Sequence, residues 1–342
     1  MRSYGSHAHI YLTDQSFHIL HRTSKIGRTP WDTWISCEEV IKDGQIWEVD
    51  PRGVREAKKT VLGGINTGGR FESFTYDVRD KEDPRFYYTE DRPNGPLRRF
   101  RPTSPDWSEP YKMLHGTGEI EFLVLNATTS NNSTGTYSWT KNKTLAEATA
   151  AEFFPGTEGV DAHEGSLYFV SKKANLMYVL NLDGNTWESR STVSGVFDGS
   201  PDQLTRLVGE QEILYYTEVS EREERLLRLK VAKLFSGIWF SSSLTVIHTK
   251  SHVHTHFKKQ EGGSDAGIHG RDAAGNFFSI LESPIYREET TGLAFSPDHK
   301  HLYVAYQKNG ILLDVWREDG LTFSAKSLNI KYHNTQTGVA RD

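Results

Sequence analysis

Residues 29–39 read Thr-Pro-Trp-Asp-Thr-Trp-Ile-Ser-Cys-Glu-Glu, which places the chain's one thiol, Cys37, beside two carboxylates, Glu38 and Glu39. On a strand, alternate side chains share a face, so Cys37 and Glu39 point one way and Glu38 the other. A thiolate with carboxylates suits a transition metal, and carboxylates alone suit calcium. A lone cysteine is also at home as a small buried hydrophobe, and the segment by itself leaves both readings open.

A second set of acidic residues recurs along the chain. Glu72, Glu158, Asp202 and Glu289 each stand next to Gly, Ser, Thr or Pro, at the opening of a strand-rich unit. If the units repeat around an axis, these carboxylates converge and repel one another unless cations neutralise them. Metal ions are the natural resolution; four separate turn-forming or solvated residues are the alternative. The segment 267–272, Gly-Ile-His-Gly-Arg-Asp, puts His269 and Arg271 on one strand face. Arg271 there suits a phosphate oxygen pair and His269 a developing oxyanion, unless Arg271 merely pairs with Asp272 or Glu282. The run His252-Val-His-Thr-His256 reads either as a metal-binding stripe or as a histidine-rich surface strand.

The elements that must position these residues are strands. Short β-rich segments at 46–50, 86–89, 97–100, 166–170, 176–180, 213–217, 276–281 and 301–306 end in Gly, Asp, Asn or Pro. Turns such as Leu182-Asp-Gly-Asn185 and Arg317-Glu-Asp-Gly320 supply the positive φ that hairpins need. A period of ~45–50 residues in an all-β chain predicts a single β-propeller of about six blades over 1–342, with a β-sandwich as the alternative. A Thr/Ser/Asn-rich stretch at 103–155 interrupts the rhythm and reads as an insertion or a long inter-blade loop, with 126–144 as an exposed loop. Residues 218–235 fit a short amphipathic helix or a charged edge strand equally well.

Composition narrows the function classes. The 342 residues carry 40 Lys and Arg against 45 Asp and Glu, a net charge of −5, with no electrostatic footprint for nucleic acid. There is no run of ~18 apolar residues to span a bilayer. One cysteine excludes an internal disulfide. Four sequons, at Asn126, Asn131, Asn132 and Asn142, suit an exposed segment of a secreted or periplasmic protein. The first residues lack a signal-peptide pattern, and the expectation is that the true start lies upstream.

The segment at 29–39 resembles the Thr-Pro-Trp-x-Thr-Trp-x-Thr/Ser-Cys-Glu-Glu signature of the PhoX-type alkaline phosphatases. Similar matches follow in order: Gly-Arg-Phe-Glu at 69–72, Tyr-Thr-Glu-Asp-Arg at 88–92 and Arg-Phe-Arg-Pro at 99–102. Glu158-Gly159, Phe197-Asp-Gly-Ser-Pro-Asp202 and Glu289-Thr-Thr-Gly-Leu-Ala-Phe-Ser-Pro-Asp298 continue the series.

The resemblance implies a β-propeller whose iron–calcium cluster hydrolyses phosphate monoesters. It would make Cys37 an iron ligand, with Glu38 or Glu39, Glu158, Asp202 and Glu289 as carboxylate ligands, and Glu72 substituting from a shifted position. Three departures accompany it. Arg70-Phe-Glu72-Ser replaces Arg-Phe-x-His-Glu, Gly156-Thr-Glu158 replaces Arg-Pro-Glu, and the residues before Thr29 lack the family's Asn-Cys-Ala-Gly-Gly lead-in. The expected function is therefore a monomeric, metal-dependent phosphatase acting on a small phosphorylated substrate. A calcium-stabilised propeller that binds a ligand or partner without catalysis, or a lactonase-like hydrolase, is the alternative. On the first reading Cys37, Glu158, Asp202 and Glu289 meet at one end of the central channel.

Overall fold

Runs such as Phe86-Tyr87-Tyr88 and Leu214-Tyr215-Tyr216 have no polar face, so the strands carrying them need cover on both sides. A radial stack of small sheets supplies it. The computed structural model describes residues 23–324, except 41, 65–67, 196, 198–199, 208–212, 220–265, 283–288 and 308–309. The histidine run 252–256 and most of 218–235 lie outside the described residues.

The first antiparallel sheet holds β1 (Thr23–Arg28), β2 (Trp34–Glu38), β3 (Ile46–Val49) and β4 (Lys58–Lys59), in that order. The second begins with β5 (Phe71–Asp77), β6 (Arg85–Glu90), β7 (Arg98–Pro102) and β8 (Gly118–Ala127), and β8 pairs with β9 (Thr134–Thr140). The third holds β10 (Thr157–His163), β11 (Ser166–Ser171), β12 (Leu176–Asn181) and β13 (Thr186–Ser191). Because β9 also pairs with β13, these two blades join edge to edge into one nine-stranded sheet. Next come β14 (Ser200–Leu207), β15 (Ile213–Val219), β16 (Gly267–Asp272) and β17 (Phe277–Glu282). The last unit is β18 (Thr290–Phe295), β19 (His301–Tyr306) and β20 (Ile311–Trp316).

The opening strands β1, β5, β10, β14 and β18 pack side by side, and β18 returns to β1. The result is a β-propeller with five blades among the described residues, against about six suggested by the repeat spacing. All eight segments read as strands from sequence fall on strands here. Asn185 (φ 51°) and Gly320 (φ 69°) occupy the positive-φ turns.

The interruption at 103–155 is ordered rather than a loose insertion. It carries β8, β9 and α1 (Lys143–Phe153), whose N-cap Asn142 accepts from the Leu145 N–H at 3.2 Å. Only 128–133 of the expected 126–144 loop connects β8 to β9 as a turn. All four sequon asparagines are exposed.

Between blades the core forms apolar seams. Tyr88 faces the seam with Ile35, Ile46 and Phe71, while its neighbour Tyr87 faces Phe154, Phe169 and Tyr178. Tyr215 and Tyr216 divide in the same way between the seams on either side of the fourth blade. Each middle strand therefore contributes alternate rings to two interfaces, which is why its sequence shows no polar period.

The opening strands share an irregularity that matters for chemistry. Pairing with the second strand slips between Phe71 and Phe74, between Thr157 and Val160, and between Pro201 and Leu204. Glu72, Glu158 and Asp202 sit in these three bulges, which is where an extra residue re-aims a side chain. A bulge also frees backbone N–H groups, and threonines on the second strand satisfy two of them. The Ser73 N–H donates to Thr89 Oγ1 at 3.0 Å and the Gln203 N–H to Thr217 Oγ1 at 2.7 Å. Thr89 in turn donates to the Glu158 carbonyl at 2.6 Å, fastening the second blade to the third. At Gly159 the third and fourth blades touch so closely that a Cβ would run into the backbone of Gln203 and Leu204.

Gly159→Ala is therefore expected to push β10 from β14, costing about 1–3 kcal/mol in urea unfolding as an overpacking change. Gly116→Ala, where the nearest atom is the Lys112 carbonyl at 3.4 Å, serves as the near-neutral control. Equal midpoints for the two variants would disprove the tight blade contact.

Candidate metal centre

Three bulges on three blades deliver Glu72, Glu158 and Asp202 to one end of the propeller axis. Each residue is at most 2% exposed, and each offers a carboxylate oxygen within 4.8 Å of the other two. Glu72 also belongs to a second group with Glu39 and Asp91, again with ligand atoms within 4.8 Å. Glu39 follows β2 and bridges to Arg70, while Asp91 follows β6 and donates its N–H to the Arg70 carbonyl at 2.8 Å.

Two cations stand among these five carboxylates. Lys172 Nζ lies 2.6 Å from Glu158 Oε1 and 3.9 Å from Asp91 Oδ2. Arg70 reaches Glu39 Oε2 at 3.5 Å and Asp91 Oδ2 at 3.6 Å. Burial alone pulls the Lys172 ammonium toward its neutral form. The carboxylates of Glu158, Asp91, Asp202 and Glu289 outweigh that and hold its pKa well above the ordinary lysine value. The same balance raises the Arg70 guanidinium, with Asp91 and Glu39 as the leading partners. Five acids against two bases leave the cluster negative, and every ligand atom in the two groups is a hard oxygen. That donor set fits calcium, whose 2.3–2.6 Å bonds suit oxygens about 5 Å apart across the ion.

The residues singled out from sequence divide clearly. Glu39, Glu72, Glu158 and Asp202 come together. Glu289 stands just before β18, half-buried, and acts on Lys172 through its charge while joining neither group. Glu38 turns to the β2–β3 connection, where its carboxylate accepts the Gln45 N–H at 2.9 Å. Cys37 shares a buried face of β2 with Ile35 and packs in the seam with Ile46, Phe71 and Phe86. It joins neither metal-capable group among the described residues.

His269 and Arg271 also lie elsewhere. His269 is fully buried within the fourth blade, with Nε2 3.0 Å from Glu218, Nδ1 2.9 Å from Ser279 and Phe197 stacked on its ring at 4.4 Å. Arg271 is 8% exposed and lies over the Phe277 ring at 5.8 Å. Asp91, Arg70 and Lys172 were not singled out from sequence. Asp91 and Arg70 fall inside the quoted family-like motifs, whereas Lys172 carries no sequence signal.

Along the axis beyond the cluster runs a cavity of about 260 Å³ walled by all five opening strands. Ser73, Val160 and Gln203, which follow the three bulge acids on their strands, line it together with Thr75, Tyr76 and Asp161. Asp161 accepts the Ala162 and Arg206 N–H groups, both at 2.9 Å. Burial pushes its pKa from 3.8 up to about 6, against the opposing pull of Arg206, these two N–H groups and His163.

No protein-family model and no curated protein sequence matches this chain. Among solved structures it is similar to Pseudomonas fluorescens PhoX in complex with vanadate, a transition state analogue, with a TM-score of 0.60 and 15% identity over 89% of this chain and 70% of that one. Virginiamycin B lyase from Staphylococcus aureus gives a TM-score of 0.42 at 12% identity, over 83% of this chain and 62% of that one. A nidogen/laminin complex chain gives 0.46 at 10%, over 88% and 78%. The PhoX likeness establishes the propeller fold.

Asp161 yields a stability prediction. Its folded pKa is raised, so the protonated form stabilises the fold below pH 3.8, and that contribution is lost as pH rises to about 6. Asp161→Asn is expected to match wild type near pH 4 and to exceed it above pH 6 by on the order of 3 kcal/mol. Denaturant unfolding at a series of pH values checks this, and a constant difference would refute it.

Proposed function

We propose that the chain is a divalent-cation-dependent phosphate-ester hydrolase working at the carboxylate end of the propeller axis. One observation carries the reading: three bulged strands from three blades bring Glu72, Glu158 and Asp202 within 4.8 Å of one another, with Lys172 and Arg70 beside them. A bound cation would supply Lewis-acid stabilisation of charge on the phosphoryl oxygens. Glu72, Glu158 and Asp202 would hold it, with Glu39 and Asp91 available from the adjoining group. Lys172, whose backbone N–H donates to the Gly156 carbonyl at 2.8 Å, stands beside the position where the family-like pattern has lost its arginine, and with Arg70 it would attract and orient the phosphate. The fold shared with PhoX, solved with a transition state analogue, supports this choice of substrate class.

Calcium fits the oxygen-only donors. Cys37 packs with Ile35, Ile46 and Phe71 and belongs to neither oxygen group among the described residues, so the reading is built on calcium. Lys172 and Arg70 are also already engaged by carboxylates, which favours a second reading: a calcium-stabilised propeller that binds without turnover. The exposed sequon asparagines support an extracytoplasmic setting for either.

Calorimetric calcium titration and hydrolysis of p-nitrophenyl phosphate test both readings on the full chain. Glu158→Gln is expected to weaken calcium binding at least tenfold and to abolish calcium-dependent hydrolysis. Lys172→Met is expected to raise KM for the phosphate with calcium still bound. Cys37→Ser should retain both properties. Tight calcium binding with no hydrolysis of phosphate monoesters or diesters selects the binding module, and turnover of a lactone alone selects the lactonase-like alternative. Loss of both properties in Cys37→Ser, with the fold intact, would restore the thiolate as a ligand.

A further inference from the structure

We infer that the axial channel carries water to the carboxylate cluster from behind and that Asp161 accepts the proton this water loses during hydrolysis. The inference rests on the hydrolase reading above. The channel is walled by β1, β5, β10, β14 and β18, and its lining includes Ser73 and Gln203, the residues next after Glu72 and Asp202, and Val160, two residues after Glu158. Its roughly 260 Å³ holds about nine waters at liquid density. The lining hydroxyls of Ser73, Thr75, Tyr76 and Thr205 and the Gln203 amide are the partners such waters need. Asp161 stands three residues beyond Glu158 on β10, about 10 Å along the axis at strand rise.

The chemistry balances without a further reactant. One O–H bond of the attacking water breaks as its oxygen bonds to phosphorus, and the ester P–O bond breaks to release an alkoxide. The water's proton passes along the channel to the Asp161 carboxylate and from there to solvent. The alkoxide takes a proton from solvent at the outer mouth.

Groups facing Asp161 come from each polar wall of the channel. Arg206 lies on β14, His163 on its own strand, Tyr76 on β5 and Arg28 on β1. His163 is the imidazole among them, so a His163→Gln variant accompanies the test. Both of Asp161's N–H donors hold it as an acceptor beside the cavity, within reach of the water that fills it.

The experiment compares wild type, D161N, D161E and H163Q, each loaded with calcium, by pH–rate profiles for p-nitrophenyl phosphate and by infrared titration of the carboxyl band. D161N is expected to lower kcat about 10²-fold with KM and calcium affinity unchanged. It should also remove the acid limb near pH 6 and the protonated-carboxyl band that wild type gains there. D161E should recover part of kcat and keep an acid limb; H163Q should leave the limb in place. Wild-type turnover with an unaltered D161N profile overturns the relay alone. Absence of calcium-dependent turnover in wild type overturns the hydrolase reading and the relay with it.

Discussion

Repulsion between carboxylates brought to one axis is the constraint on which this propeller's chemistry depends. Radial repetition places equivalent residues of successive blades around a common line, and bulges turn three of them inward. Glu72, Glu158 and Asp202 would each be inexpensive on a surface. Together, buried and within 4.8 Å, they call for positive charge beside them. Lys172 and Arg70 provide part of it. The pull on both cations is strong enough to overcome their own desolvation, which shows how far the acids outnumber them.

The blades are built to withstand that strain. Their middle strands bury both faces in apolar seams, so each blade is held by two neighbours, and closure of β18 on β1 prevents the ring from opening. Threonines behind the bulges convert an irregularity that would waste N–H groups into a fastening between strands. The close approach at Gly159 sets how near Glu158 comes to Asp202.

Much of this was legible in the sequence, for physical reasons. Strands with turn residues at their ends announce themselves, and acids recurring at unit openings reveal an axis before any coordinates exist. The reading failed where chemistry depends on which way a side chain leaves the strand. Cys37 looked like a ligand because it adjoins Glu38 and Glu39, but β2 turns it into a seam. His269 and Arg271 looked free to meet a phosphate, but the middle strand of a blade has no exposed face on which to place them. Lys172 was invisible because nothing local distinguishes it from Lys173; only its distance from Glu158 does. The ordered segment at 103–155 misled through composition, since Thr and Ser serve a hairpin here as readily as a loop.

The second and fourth blades show how the site is supported from behind. Tyr87-Tyr-Thr-Glu90 and Tyr215-Tyr-Thr-Glu218 are the same motif on the same strand of each blade. Glu90 pairs across from Phe71, and Glu218 across from Pro201, so each glutamate stands beside the residue that precedes a bulge acid. On the third strand Arg98 lies opposite Tyr88 and His269 opposite Tyr216, and each side chain binds the glutamate of its own blade. The equivalence explains His269 better than catalysis does. It fills the place that an arginine fills two blades earlier, fixing a fully buried carboxylate so that the adjoining bulge keeps its direction. A buried acid left without that partner would cost several kcal/mol, and the strand would relieve it by moving. The histidine thus holds Glu218, which pairs across from Pro201 next to Asp202, a position that residue type alone would never suggest.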